Sequence, residues 1–239
     1  MKKALPFISI IIPAFNEEKM ILHCLDAIKN QSYPKDKFEI ILANNNSTDK
    51  TVSIAEKQGA KIITETQEGY IFTLNTGMKA ASGEIIAVTD ADTIVTHNWL
   101  ETMAIIFQDP DVVAVTGSIT LNMRSTTIKT LSEMLYRLFL QFNFASGKPH
   151  LSGPNFAIRK DIFMKINGLN TLYELSGDVE LGLRAKKYGK VSFTKDLKVF
   201  TSPRRWRMNP FKALNIYGQS YFSVIWLKRP PKMHQIPVR

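Results

Sequence analysis

Over its first hundred residues the chain alternates short apolar runs with stretches in which apolar residues recur every three or four positions. That pattern predicts β-α-β units feeding a mostly parallel sheet with helices on both faces, an α/β fold of Rossmann-like type. Strands are expected over residues 7–12, 38–43, 61–64 and 84–89, and helices over 17–30, 48–58 and 71–81. Gly59 and Gly83 stand where two of these helices should stop. A helix over 97–108 and a strand over 112–116 complete this half. After Gly117 the rhythm changes. Residues 128–144 carry apolar side chains at 128, 131, 135, 138 and 142, the period of a helix with one buried face, and Ser146-Gly147-Lys148-Pro149 ends it. A short strand at 156–158, helices over 160–166 and 178–188, and strands near 191–193 and 198–200 follow.

A chain of 239 residues suffices for one such domain with a substantial core. The single cysteine, Cys24, lies on the apolar stripe of the first helix, which excludes an intrachain disulfide and a cysteine metal cluster and points to a reducing, cytoplasmic compartment. A formal net charge of +10 would suggest a nucleic-acid partner if it were spread over the fold. It is not. Nine lysines and arginines and no acid lie beyond Leu197, and before that point the two signs nearly cancel, so no nucleic-acid partner is expected. Lys2 and Lys3 ahead of an apolar run resemble a secretory leader, but Pro6 and Pro13 bracket that run and Asn16-Glu17-Glu18 follows it. A first buried strand is the expectation. No stretch reaches the roughly 20 apolar residues that a membrane-spanning helix needs.

In open α/β sheets ligands bind beyond the carboxyl ends of the strands. Three such ends carry polar residues and should be neighbours in space: 13–18, 44–49 and 90–92. Asp90-Ala91-Asp92 offers two hard carboxylates one residue apart, suited to Mg²⁺ or Mn²⁺ and to a ribose hydroxyl, or else to capping the next helix. In 44–49, Ser47 or Thr48 is the expected N-cap of the second helix, and the asparagines offer amides to a base or a ribose. No G-x-G-x-x-G turn follows a strand and no phosphate-binding G-x-x-x-x-G-K-[ST] occurs, which removes dinucleotide oxidoreductases and P-loop NTPases.

Taken together, Ile-Ile-Pro-Ala-Phe-Asn-Glu-Glu at 11–18, Asn-Asn-Ser-Thr-Asp at 45–49, the D-x-D at 90–92, Gly-Pro-Asn-Phe-Ala-Ile-Arg at 153–159, Asn-Gly-Leu-Asn at 167–170 and Asp-Val-Glu-Leu-Gly-Leu-Arg at 178–184 resemble the inverting family 2 glycosyltransferases of the GT-A fold. The resemblance implies metal-dependent transfer of a sugar from a UDP- or GDP-linked donor to the hydroxyl of a saccharide or lipid-linked acceptor. Pro13, Ala14, Asn16 and Glu17 would line the nucleotide pocket, Asn45 would face the base, Asp90 would approach the ribose, and Asp92 would hold the Mg²⁺ or Mn²⁺ ion. Asp178 would be the general base, although its position alone also suits a helix cap. Gly153 and Asn155 would meet the acceptor. The chain departs from the family pattern at Ala43-Asn44-Asn45, where aspartates are common, at Leu74, where an arginine is frequent, and at Gly177, where a glutamate usually precedes the base. These replacements favour a second reading, a catalytically degenerate nucleotide-sugar-binding module.

Ser202-Pro203-Arg204-Arg205-Trp206 resembles the end of the Gln-x-x-Arg-Trp signature of processive synthases, with serine in place of glutamine. Arg204 or Arg205 is the candidate for the diphosphate and Trp206 for stacking on a sugar. The expected organisation is a catalytic domain over 1–203, split into a nucleotide-sugar half (1–117) and an acceptor half (118–203). A basic, aromatic-rich segment over 204–239 follows, suited to holding the protein on the inner face of an anionic membrane.

Overall fold

The computed structural model describes residues 4–123, 125–204 and 210–231. The element order is β1 (Ile8–Ala14), α1 (Ile21–Lys29), β2 (Phe38–Asn44), α2 (Thr51–Lys57), β3 (Lys61–Thr64), α3 (Tyr70–Lys79), β4 (Ile85–Val88), β5 (Thr93–Val95), α4 (Trp99–Ile106), β6 (Val112–Leu121), α5 (Thr126–Ala145), β7 (Phe156–Arg159), α6 (Lys160–Lys165), α7 (Gly177–Ala185), β8 (Lys190–Thr201) and α8 (Pro210–Ile225). The strands form one sheet in the order β3-β2-β1-β4-β7-β6-β8-β5. The β3-β2-β1-β4 half is parallel throughout. Only β7 and β5 run against the other strands, so the sheet is mixed but mostly parallel, as the sequence pattern implies.

The continuous apolar runs of the central strands are explained by burial on both faces. Ile8, Ile10 and Ile12 of β1 join a core with Ile21, Cys24, Leu25 and Ile28 of α1 and Trp99 of α4. Ile11, between them, joins the opposite core with Ile71, Leu74 and Met78 of α3 and Phe163 of α6. Each such isoleucine withdrawn from water contributes about 1.5–3 kcal/mol. The two faces together fix which strand ends stand side by side, and thereby the site.

Several boundaries differ from the sequence reading. The helix expected from Thr48 starts at Thr51, because Asp49 rather than Ser47 or Thr48 takes the free N–H of Thr51 (2.9 Å) and its hydroxyl (2.5 Å). The strands expected near 191–193 and 198–200 are a single β8 whose register against β6 jumps between Gly117 and Ser118. β6 passes through residue 117 unbroken, so the two halves expected over 1–117 and 118–203 share one sheet. The three residues of β5, too few for a periodic signal, pair antiparallel with the end of β8.

One expectation is reversed. The helix at 128–144 exists as α5, but its apolar stripe faces outward: Ile128, Leu131, Leu135, Leu138 and Phe142 are 49–71% exposed, and the buried residues of the helix are Leu140 and Asn143. Periodicity reports that a helix has an apolar face, not what that face meets. The underside of α5 is taken by polar groups: Glu133 accepts from Thr120 and Lys198, and Tyr136 bonds Ser152. α8 docks on α7 through Val179, Val224 and Ile225 and a Ser176–Ser220 hydroxyl pair. Among the described residues no helix is long and apolar enough to cross a membrane.

Candidate active site

The carboxyl ends of β1, β2 and β4 lie side by side, bringing 13–18, 44–49 and 90–92 together as expected. Pro13 and Ala14 are buried at the end of β1, in register with Ala43 and Asn44. The next turn is stitched to the β2 loop. Asn16, in the left-handed region at φ 54°, donates its N–H to Ser47 Oγ (3.0 Å) and accepts from Thr48 N–H through Oδ1 (2.8 Å). The N–H groups of Glu17 and Glu18 donate to Thr51 Oγ1 (2.7 Å) and Asp49 Oδ2 (3.1 Å). Asp49 is held below the usual carboxylate range: burial opposes this, but the hydrogen bonds from Thr51 and Glu18 outweigh it.

Asn45 is likewise committed to structure. Its Nδ2 donates to the carbonyls of Glu65 and Gln67 (both 2.9 Å), and its Oδ1 accepts from Gly69 N–H (3.0 Å). An aspartate could not make the two donations, which accounts for the amide at this position. The loop built on Asn45 ends at Gly69, whose φ of 131° suits glycine, and this sets Tyr70 at the first position of α3. Tyr70 is a residue that sequence reasoning missed; its place directly after a glycine at a helix start was the only signal.

Tyr70 ties the two sides of the cleft together. Its Oη donates to Asp90 Oδ1 (3.0 Å). A Cβ placed on Gly153 would lie 3.5 Å from that hydroxyl and 3.3 Å from Asp178 Oδ2. Asp90, Tyr70, Gly153 and Asp178 are therefore neighbours in space. Burial pushes Asp178 up to about 6, against the pull of backbone N–H groups of Val179, Gly153 and its own residue. Gly177, in place of the family glutamate, has a packing reason: a Cβ there would come 2.3 Å from Ile71 Cδ1.

Asp92 lies at the other side of Asp90. Its Oδ2 is 3.0 Å from Arg204 Nη2, and the same guanidinium grips both oxygens of Glu17. A cavity of about 250 Å³ opens beside it, lined by Met20, Ile94, Asn122 and Thr201 among others. The Cys24 thiol beneath is raised, first by burial and then by the charges of Asp92, Asp90 and Glu17, so these three carboxylates share one region. Of the two arginines proposed for the diphosphate, Arg204 thus belongs to this region; Arg205 and Trp206 lie outside the described residues.

Asn155 stands apart from the cleft surface. It is wholly buried, with Nδ2 donating to the carbonyls of Ser118 (3.0 Å) and Leu197 (2.9 Å) and Oδ1 accepting from Trp99 Nε1 (2.9 Å). It joins β6, β8 and α4 beneath the site and has no donor left for an acceptor. Gly153, two residues earlier, does reach the cleft.

Residues 9–166 match the model of the family described as glycosyl transferase family 2. The chain is 31% identical over 229 residues to the probable glycosyltransferase YdaM of Bacillus subtilis, a match covering 87% of this chain and 52% of that protein. Among solved structures, the mannosyltransferase PcManGT from Pyrobaculum calidifontis in complex with GDP-Man and Mn²⁺ superposes with a TM-score of 0.72 at 22% identity, over 95% of this chain and 64% of that one. Staphylococcus aureus TarS 1-349 in complex with UDP-GlcNAc gives 0.65 at 17%, over 91% and 73%. At these identities the structures establish a shared fold. The chain spans about half the length of YdaM.

Proposed function

The chain belongs to glycosyl transferase family 2, and on that premise we propose that it transfers a sugar, with inversion, from a UDP- or GDP-linked donor to an acceptor hydroxyl. The observation that carries this reading is the position of Tyr70, which bonds the carboxylate at a donor-side strand end and stands, with the Asp178 carboxyl of raised proton affinity, beside Gly153. Donors of both base types accompany structural neighbours, so neither UDP nor GDP is preferred.

In this reading Pro13, Ala14 and Glu17 form the floor and wall of the nucleotide pocket, while Asn16 and Asn45 shape the loops around it. Asp90 meets the ribose. Asp92, with Glu17 beside it, is the anchor for Mg²⁺ or Mn²⁺: the two carboxylates already share one cation, the Arg204 guanidinium, and hard oxygen donors suit either ion. Among the described residues no three side chains of the metal-binding types gather around one point, so the remaining ligands would be phosphate oxygens and water. Bound there, the ion would neutralise charge on the departing diphosphate. Asp178 removes the proton from the acceptor hydroxyl, and its raised proton affinity brings it nearer to that task at neutral pH than an exposed aspartate would be. The acceptor, a saccharide or a lipid-linked sugar, enters past Gly153, with Trp206 as a stacking platform and Arg205 on the diphosphate. The basic segment from Arg204 onward keeps the protein on an anionic inner membrane face.

A second reading, a degenerate nucleotide-sugar-binding module, is favoured by one observation: the metal anchor Asp92 is already neutralised by Arg204. Incubation with a panel of UDP- and GDP-sugars, with and without Mn²⁺, separates the two. Mn²⁺-dependent release of nucleoside diphosphate from one donor supports transfer; saturable donor binding without release under every condition supports the module.

A further inference from the structure

The outward face of α5 is apolar along its whole length. Ile128, Leu131, Met134, Leu135, Leu138 and Phe142 are each 42–71% exposed, spaced so that they form one stripe about 20 Å long. No charged residue interrupts it. The only acid on the helix, Glu133, points inward to Lys198 Nζ (2.7 Å) and Thr120. Exposed apolar surface of this extent marks an interaction site, and two further observations bear on its occupant.

The first is the border. Lys129 turns inward over the Phe200 ring (5.0 Å), so among the described residues the border of the stripe is formed by Arg137 on α5 and by the basic groups at its far end. At the far end of α5 the chain brings in α8: Phe139 packs edge-on against Tyr221 at 5.2 Å, and Tyr221 Oη donates to Asn143. The exposed end of α8 carries Phe222 and Trp226, with Lys148 Nζ 3.1 Å from the centre of the Trp226 ring and Lys228 and Arg229 beside it. An apolar stripe with a basic margin and an aromatic end fits a helix lying in a lipid headgroup layer. A second copy packed on the same stripe would set two basic margins against each other, whereas an anionic surface would complement them. The second observation is the underside. Tyr136, on the same turn as Leu135, bonds Ser152 Oγ (2.5 Å), the neighbour of Gly153 in the acceptor-side turn.

We propose that the exposed face of α5, extended by Phe222 and Trp226, is a membrane-docking surface that seats this helix in an anionic bilayer with the acceptor side of the cleft close to the lipid. The inference extends the membrane reading given to the C-terminal segment and shifts the apolar anchor from the tail to the catalytic body; it does not depend on which reaction the cleft performs.

The test is co-sedimentation of the 239-residue chain with vesicles of phosphatidylcholine, alone or mixed with phosphatidylglycerol, at low and high salt. The Leu135→Glu/Leu138→Glu variant is compared, with Ile128→Glu/Leu131→Glu as the alternative should the first not fold. Binding to the mixed vesicles that is weakened by salt, and that falls roughly tenfold or more in a variant with an unchanged melting temperature, is the expected result, since two apolar anchors are lost and two charges repelled. Undiminished binding by the folded variant, or loss only on truncation before Arg204, would assign attachment to the tail and overturn the proposal. So would equal binding to neutral vesicles, or no vesicle binding together with a dimer that the variant disperses. Nucleotide-sugar turnover measured on a soluble acceptor reports separately on the transfer reading.

Discussion

Tyr70 donates a hydrogen bond to Asp90 across 3.0 Å, and the tyrosine is there because Asn45 holds the loop ahead of it. The sequence of dependencies runs from the end of β2, through the backbone N–H of Gly69, to a phenol that fixes the orientation of a carboxylate at the end of β4. Four residues from three strand connections thus act as one unit, which makes each of them testable through the others.

Tyr70→Phe removes one hydrogen bond to a charged acceptor and leaves the ring in place. Such bonds contribute about 1.5–3 kcal/mol. On the reading that Asp90 meets the ribose, donor affinity should fall roughly tenfold to a hundredfold, with the melting temperature little changed. Calorimetric titration with the cognate nucleotide sugar checks it; unchanged affinity would make the bond structural.

Asn45→Asp should be more damaging than its small change in volume suggests. Two N–H donations to loop carbonyls, one half-buried and one exposed, are lost and a charge is set against them, a cost of about 1–3 kcal/mol. Urea unfolding should show the loss, and hydrogen exchange should show faster protection loss at residues 65–69 than in the sheet.

Gly177→Ala should destabilise by about 1–3 kcal/mol, because the new methyl falls within 2.3 Å of Ile71 Cδ1 in a filled core. Ile71→Val removes that atom. The double variant should therefore recover stability relative to Gly177→Ala alone, a coupling that thermal unfolding of the four-member cycle reads directly.

Arg204 and a divalent ion compete for Asp92 and Glu17 in the proposed mechanism. Arg204→Gln should therefore tighten Mn²⁺ binding, and Asp92→Ala should abolish it. Electron paramagnetic resonance of free Mn²⁺ measures both without any turnover. Mn²⁺ affinity that Asp92→Ala leaves intact would remove Asp92 from the metal site.

Much of this arrangement is legible in the sequence, for reasons that differ by region. β1, β2 and β4 are buried on both faces, so their apolar runs are continuous and their polar ends conspicuous; hence the grouping of 13–18, 44–49 and 90–92. What periodicity cannot show is which way a side chain is spent. Asn16, Asn45 and Asn155 read as ligand-facing amides, yet the first two tie loops together and the third is sealed under the sheet. The α5 stripe has the period of a buried face and lies on the outside. Tyr70 carries no motif, because its role comes from a loop that another strand end positions.

Asp178 joins reaction and stability through one proton. Its ordinary value of about 3.8 is raised by burial to about 6, so between those values the folded protein keeps a proton that the unfolded chain has released. The unfolded state then binds fewer protons, and this group's contribution to stability falls as pH rises through that window. Above it, the folded protein carries a buried charge at a cost on the order of 1–3 kcal/mol. Asp178→Asn removes that charge while keeping an acceptor for the Val179 N–H, so at pH 7.5 it should be as stable as the parent or more so. Its transfer rate should nonetheless fall about 10²- to 10⁴-fold, the usual cost of losing a general base, with donor affinity retained. In the parent the rate should rise with pH through about 6, a step that the variant lacks. His150 supplies an opposite slope: burial lowers it from about 6.5 to about 4, so its contribution is lost as pH falls through that range. Removing Asp178 leaves this term unopposed, and the variant's stability should climb more steeply between pH 4 and 6 than the parent's. A variant less stable than the parent at pH 7.5, with donor binding and rate lost together, would make Asp178 a helix cap and not a base.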